Sequence, residues 1–158
     1  MLRALFDPFS AIRNPGSLYV NNQDDNWTAP QNDELWQDGV KTLFDPCPSG
    51  WRVPLSGEMR IGRNPWDPFS IDNGTWNVSG MSWSTMTSTL RTWYPAAGYR
   101  EARSGSFRNG GANANYWSSS VRDACRASNF HFTERYVYPN NPTAGQRSFG
   151  FSTRCVRE

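Results

Sequence analysis

The sequence predicts a single loop-rich α+β domain, in which short helix candidates precede a run of short strands. Three observations predict it. First, aromatic residues make up 15% of a chain that is only 37% hydrophobic. Each aromatic side chain buries roughly 150–250 Å², so 8 Trp, 9 Phe and 6 Tyr can form a core where aliphatic residues are scarce. Disordered chains lack such a composition. Second, 13 Gly and 11 Pro argue against long helices and for a loop-rich body. Third, two short helical candidates lie in the first half, whereas roughly the last 70 residues alternate as strands do. At 158 residues the chain has the size of one domain.

Residues 1–30 read as a turn-rich lead-in: Asp7-Pro8, Asn14-Pro15-Gly16, Asp24-Asp25 and Ala29-Pro30 follow closely, with Leu18-Tyr19-Val20 as one possible strand. Residues 31–158 form the domain proper. Asn32 to Val40 is the first helix candidate, with Asn32 or Asp33 as N-cap and Leu35 and Trp36 turned inward. A stiff Asp45-Pro46-Cys47-Pro48 corner follows, and Ser56 could open a second helix after Pro54. Asn64 to Ser79 has the texture of a long excursion. Thr92-Trp93-Tyr94, Tyr116 to Ser120, Ser128 to Tyr138 and Phe149 to Val156 are the strands. Along Asn129–Thr133 the period of two sends Phe130 and Phe132 to one face and Asn129, His131 and Thr133 to the other.

Charge is small overall, +2, but unevenly shared. Residues 1–90 carry six basic and ten acidic side chains, whereas residues 91–157 carry ten Arg and three acids. The Arg residues stand singly, without a Lys/Arg block or a nucleic-acid motif, so a dispersed surface is expected and no nucleic-acid partner. Apolar runs are far shorter than the roughly 20 residues that span a bilayer, so no membrane insertion is expected. No basic-then-apolar leader opens the chain.

Four ordered segments carry a family resemblance: Asp45-Pro46-Cys47-Pro48-Ser49-Gly50-Trp51-Arg52-Val53-Pro54, Tyr94-Pro95-Ala96-Ala97-Gly98-Tyr99-Arg100, Tyr116-Trp117-Ser118-Ser119-Ser120, and Gly150-Phe151-Ser152-Thr153-Arg154-Cys155-Val156-Arg157. Together they resemble the Fibrobacter major paralogous domain family, a C-type-lectin-like group of gut Bacteroidetes surface proteins. That group is similar in fold to the variable receptor-binding domains of diversity-generating retroelements, phage tail adhesins among them. The resemblance implies a C-type-lectin-like α+β fold in which the two chain ends meet in one sheet and long loops present a ligand surface. It also implies display on a virion tail or at the cell surface. The aromatic residues inside these motifs read as scaffold, since short strands need large side chains to fill a core.

Three Cys allow one disulfide and one leftover thiol. The resemblance pairs Cys47 with Cys155, because its first helix region and last strand are neighbours, and leaves Cys125 free. Folding in a cytoplasm would leave the pair as thiols. No Cys or Cys/His spacing suggests zinc. The single His, His131, has no partnered nucleophile, and paired carboxylates such as Asp24-Asp25 fall in turns. Formylglycine-generating enzymes share the implied fold, but their chemistry needs active-site cysteines. The chain is therefore expected not to be an enzyme. Many C-type lectins bind calcium. Their Glu-Pro-Asn and Trp-Asn-Asp motifs are absent here, so calcium is left open and no cofactor is expected.

The ligand surface is expected within residues 113–148. Its candidate contacts are Asn115, Val121, Arg122, Asp123, Cys125, Arg126, Asn129, His131, Thr133, Arg135 and Tyr136. These residues all belong to the set reached when the adenines of an Asn codon are randomised, which excludes Lys, Glu and Gln. A surface receptor, protein or glycan, is the expected partner, met through hydrogen bonds and stacking. Asn129, His131 and Thr133 are expected to be exposed beside Arg122, Asp123 and Arg126, and replacing His131 or Arg126 by Ala should leave melting nearly unchanged. The alternative is a structural or assembly domain of a pilus tip or surface lipoprotein. A homotrimer is possible, since phage adhesins of the implied fold are often trimeric.

Overall fold

The structure, a computed structural model, describes residues 13, 32–37, 39–56, 74–84, 91–139 and 145–158. Among the described residues there are eleven strands: β1 (Trp51–Arg52), β2 (Gly74–Trp76), β3 (Gly80–Ser84), β4 (Arg91–Pro95), β5 (Tyr99–Arg100), β6 (Phe107–Arg108), β7 (Asn113–Val121), β8 (Arg126–Thr133), β9 (Val137–Tyr138), β10 (Gly145–Gln146) and β11 (Val156–Arg157). Strand accounts for 46% and helix for 2%. The expected α+β class, with its C-type-lectin-like helices, is therefore overturned: the described body is nearly all β, in small antiparallel sheets.

The first expected helix fails for a local reason. Over residues 32–37 and 39–40 the chain makes turns closed by a Gln37↔Val40 bridge, with Gly39 at φ +75°. Asn32 Oδ1 accepts Glu34 N at 2.9 Å, Trp36 Nε1 donates to Phe44 O at 2.8 Å, and Thr42 Oγ1 donates to Leu35 O. Side chains thus take up backbone groups that a helix would pair, and nine residues are too few to propagate one unaided. Of the second expected helix, Ser56 lies in a 3₁₀ turn and residues 57–73 lie outside the described residues, as do the Leu18–Val20 strand and most of the Asn64–Ser79 excursion.

The centre of the fold is the β7–β8 hairpin. Tyr116 pairs with Phe130 and Ala114 with Phe132, which puts all four on one face. The three-stranded sheet β2-β3-β4 packs on that face through Met81, Trp83 and Tyr94. The rings meet mostly edge to face: Trp83–Phe132 centroids lie 5.1 Å apart and Tyr94–Tyr116 5.3 Å, the geometry that ring quadrupoles favour. Tyr116 donates its hydroxyl to Pro95 O at 2.8 Å, and burial pushes its pKa up to about 12. Arg154 closes the edge, its guanidinium carbon 3.9 Å from the Tyr94 ring centroid and Nη1 donating to Trp93 O. Gly98, between β4 and β5, is required twice over: it holds φ +67°, and a Cβ there would lie 2.3 Å from Arg108 O.

The far edge of β8 is covered in two pieces, by β10 opposite Ala127 and Arg126 and by β9 opposite His131 and Phe132. The tail is not the continuous strand expected over residues 149–156. It touches Arg100 at Gly150, runs beside Tyr116 at Ser152, and becomes β11 only at Val156, where it pairs with β1. A segment passing from one neighbour to the next cannot keep a single ladder, despite its alternating pattern.

Cys47 and Cys155 are bonded, with Cα atoms 5.8 Å apart, just before the β1–β11 pair. The corner preceding β1 is organised by Asp45, whose carboxylate accepts Cys47 N at 2.8 Å and Val53 N at 3.0 Å. Lys41, the single lysine of the chain, pairs with Asp45 at 3.4 Å and donates to Cys47 O and Trp51 O. These two charges hold the corner, so the only Lys is part of the scaffold.

Candidate ligand-binding surface

β8 spans eight residues, so at about 3.3 Å per residue its two ends stand about 23 Å apart. The sequence-predicted contacts divide between those ends, with a buried stretch in the middle.

At one end lies the β7–β8 turn. Val121, Arg122, Asp123 and Arg126 are exposed, and Cys125 is a half-buried free thiol. The backbone here is fixed by Arg122 N donating to Arg126 O at 3.1 Å and Asp123 N to the same oxygen at 3.2 Å. Asp123 Oδ1 accepts Cys125 N at 2.9 Å, an Asx turn. Arg147, which the sequence reading did not single out, braces the turn. Its guanidinium donates to Asp123 O at 2.9 Å and to Arg126 O at 3.4 Å, its backbone N donates to Cys125 O, and Nη1 pairs with Asp33. A basic residue with no neighbouring motif carries no signal of such a role in sequence.

Toward the turn, three residues of β7 (Ser118, Ser119, Ser120) lie opposite one of β8, between the pairs Trp117↔Asn129 and Val121↔Ala127. All three serines are buried. Ser118 Oγ donates to Ser128 O, Ser119 N donates to Pro54 O, and Ser120 Oγ accepts Ser56 N. The bulge turns the hydroxyls to neighbouring backbone rather than to solvent.

The middle overturns part of the expected face. Asn129 is 0% exposed and Asn115 6%, so neither reaches a ligand. The period-two reading placed Asn129 correctly opposite Phe130 and Phe132, and Asn115 shares its face through the pair with His131, but that second face is covered as well. Trp117 shares it with Asn129 and packs on Phe151 with ring centroids 4.3 Å apart. Phe151 packs in turn on Phe149 and Tyr99. Gly145 fits beneath them, since a Cβ there would lie 2.3 Å from the Phe151 ring. Inside this cover Asn129 Nδ2 donates to Asn115 Oδ1 at 3.1 Å. His131 Nδ1 sits 3.0 Å from both Ala114 O and Asn115 Oδ1, and with two acceptor oxygens around it this nitrogen carries the proton. Asn115, Asn129 and His131 are therefore a polar brace between β7 and β8, with both asparagines buried. His131 is half-buried rather than exposed. Removing it costs about 1–2 kcal/mol through the acceptors left behind, which corrects the expectation of unchanged melting.

At the other end of β8, Thr133 is half-buried while Arg135 and Tyr136 are exposed. Thr133 Oγ1 accepts the N–H groups of Arg135 and Tyr136, and Thr133 N donates to Tyr136 O at 2.9 Å. His131 lies against Tyr136 and Tyr138.

The brace gives a pH prediction. Burial lowers the His131 pKa from its ordinary value, and the Ala114 hydrogen bond opposes this only in part. With the folded pKa below the unfolded one, the unfolded chain binds more protons in mild acid, so stability rises with pH there. The contribution of His131 is complete above the unfolded value of about 6.5 and is lost as pH falls through the lower folded pKa. The denaturation midpoint should therefore fall between about pH 7 and pH 5, and His131→Gln should flatten that fall. Equal pH profiles for the two proteins would show that the imidazole does not titrate against folding.

Among the described residues there is no group of three or more His, Cys, Asp or Glu side chains placed to hold a metal ion. No family model matches the chain, and no curated protein or solved structure matches it.

Proposed function

We propose that the chain is a non-enzymatic receptor-binding domain, the variable adhesin of a diversity-generating retroelement, displayed on a phage tail fibre or bacterial surface. Its ligand is a cell-surface glycan or protein, and its primary contact is the Val121–Arg126 turn. One observation carries this reading. The turn presents chemically mixed side chains (Val121, Arg122, Asp123, Cys125, Arg126) on a backbone that is closed by its own hydrogen bonds and by Arg147 from below. Such a scaffold tolerates side-chain change without loss of the fold, and its ordered backbone reduces the entropy cost of binding. All five residues are of types that fall within the adenine-randomised Asn codon set. The buried Asn115 and Asn129 are framework, not contacts.

The experiment compares the wild-type chain with the Arg122→Ala/Arg126→Ala double variant for binding to whole cells of candidate host bacteria. Stability should change by no more than about 0.5 kcal/mol, while cell binding should weaken about tenfold or more, the equivalent of about 1.4 kcal/mol. Unchanged cell binding would remove the turn from the contact surface. Sequencing of clonal isolates supplies a second check, with variation concentrated at codons 121–126 as the expected result.

A further inference from the structure

We infer that the opposite end of β8 carries a second ligand site, a platform for a neutral saccharide formed by His131, Tyr136 and Tyr138. It goes beyond the receptor-binding reading, which rests on the Val121–Arg126 turn. The three rings touch one another: His131–Tyr136 centroids lie 5.7 Å apart, Tyr136–Tyr138 5.3 Å and His131–Tyr138 6.2 Å. His131 and Tyr138 are a cross-strand pair stacked with planes only 8° apart, and Tyr136 is tilted by about 45° against both. Tyr136 and Tyr138 remain 43% and 42% exposed, so part of each ring is open to solvent.

The rings are also held in place. His131 is fixed from beneath by Ala114 O and Asn115 Oδ1, Tyr138 lies in β9, and Tyr136 sits in the turn that Thr133 closes. Little backbone freedom is left to lose on binding.

The chemistry selects the ligand class. A pyranose presents an apolar C–H face with hydroxyls around its rim. It is matched by ring faces bordered by hydrogen-bonding groups. With Nδ1 donating inward, His131 Nε2 is an acceptor, and each phenol both donates and accepts. None of these three groups has a hydrogen-bond partner among the described residues. Glu134 and Arg135, both exposed, flank the turn with opposite charges, so the patch as a whole is neutral and suits an uncharged ligand better than an acidic one.

The test uses the whole chain and free glucose, galactose, mannose and N-acetylglucosamine as probes. The single histidine makes the imidazole signals in NMR an unambiguous reporter. The expected result is a saturable shift of the His131 and tyrosine ring signals with at least one of the four sugars. Tyr136→Ala and Tyr138→Ala should each weaken that response about tenfold while the chain remains folded, because both rings are exposed at the edge of the fold. The corresponding changes to Phe should retain most of it, and Arg122→Ala/Arg126→Ala should leave it intact. No shift with any of the sugars overturns the inference, as does a shift that survives Tyr136→Ala/Tyr138→Ala. If the tyrosine variants lose whole-cell binding while no sugar moves the ring signals, the site takes a protein ligand and the saccharide assignment fails. A sugar response abolished by the Arg122 and Arg126 changes alone would place the sugar at the turn, which overturns the second site and leaves the receptor-binding reading standing.

Discussion

Loss of the Cys47–Cys155 bond should lower stability by up to about 4–5 kcal/mol in the chain-entropy account, because the two residues are 108 positions apart and the bond removes the freedom of a very long loop from the unfolded chain. The loss is also felt locally. β1 and β11 pair over only two residues each, too short a ladder to hold the tail against the corner unaided. Reduction therefore releases the residues around Cys155, and with them the cover that Phe149 and Phe151 provide over Asn129. The measurement is a denaturant midpoint with and without reductant, repeated on Cys47→Ala/Cys155→Ala. Midpoints that coincide would mean that the Asp45–Lys41 corner and the β1–β11 pair hold the ends by themselves.

Phe132→Ala should cost about 3–5 kcal/mol, the range for emptying a large aromatic site in a packed core. Phe132 is 0% exposed and lies against Trp76, Trp83, Tyr116 and Phe130. It thus joins the β7–β8 hairpin to the β2–β4 sheet, and the rigid rings around it cannot collapse into the space left. Phe132→Leu should cost less, because much of the volume is kept. A domain of this kind has a total stability of about 5–15 kcal/mol, so the alanine variant should be close to unfolding at ambient temperature and the variant that also lacks the disulfide should not fold. Equilibrium unfolding of both variants checks the order. A cost below about 1 kcal/mol for Phe132→Ala would place the core elsewhere.

These two predictions concern the parts of the fold that are legible in the chain. An aromatic composition without long aliphatic runs determines a core of rings, and the alternation around Phe130 and Phe132 determines which side chains share a face, because a period of two is a property of the strand itself. The Tyr116–Ser120 and Asn129–Thr133 patterns therefore read correctly as strand. The Asn32–Val40 pattern does not read correctly as helix. Its cap and its inward Leu35 and Trp36 are real, but Thr42 and Phe44, which take up the Leu35 carbonyl and the Trp36 indole, are brought back against it only by the chain reversal that follows.

The candidate surface shows the same division more sharply. Sequence determines that Asn129 and His131 lie opposite the phenylalanines. It does not determine whether that side meets water. A strand pattern carries no record of what packs on its polar face, and here Phe149 and Phe151 cover it, against Trp117 of β7, from a tail that lies some twenty residues further on in the chain. Only the tertiary structure decided that two asparagines are buried brace rather than ligand contact, and that Arg147 supports a turn it follows by more than twenty positions. It also separated the remaining contacts into two ends of one strand. Burial depends on what returns across a surface, and such returns are set by long-range packing.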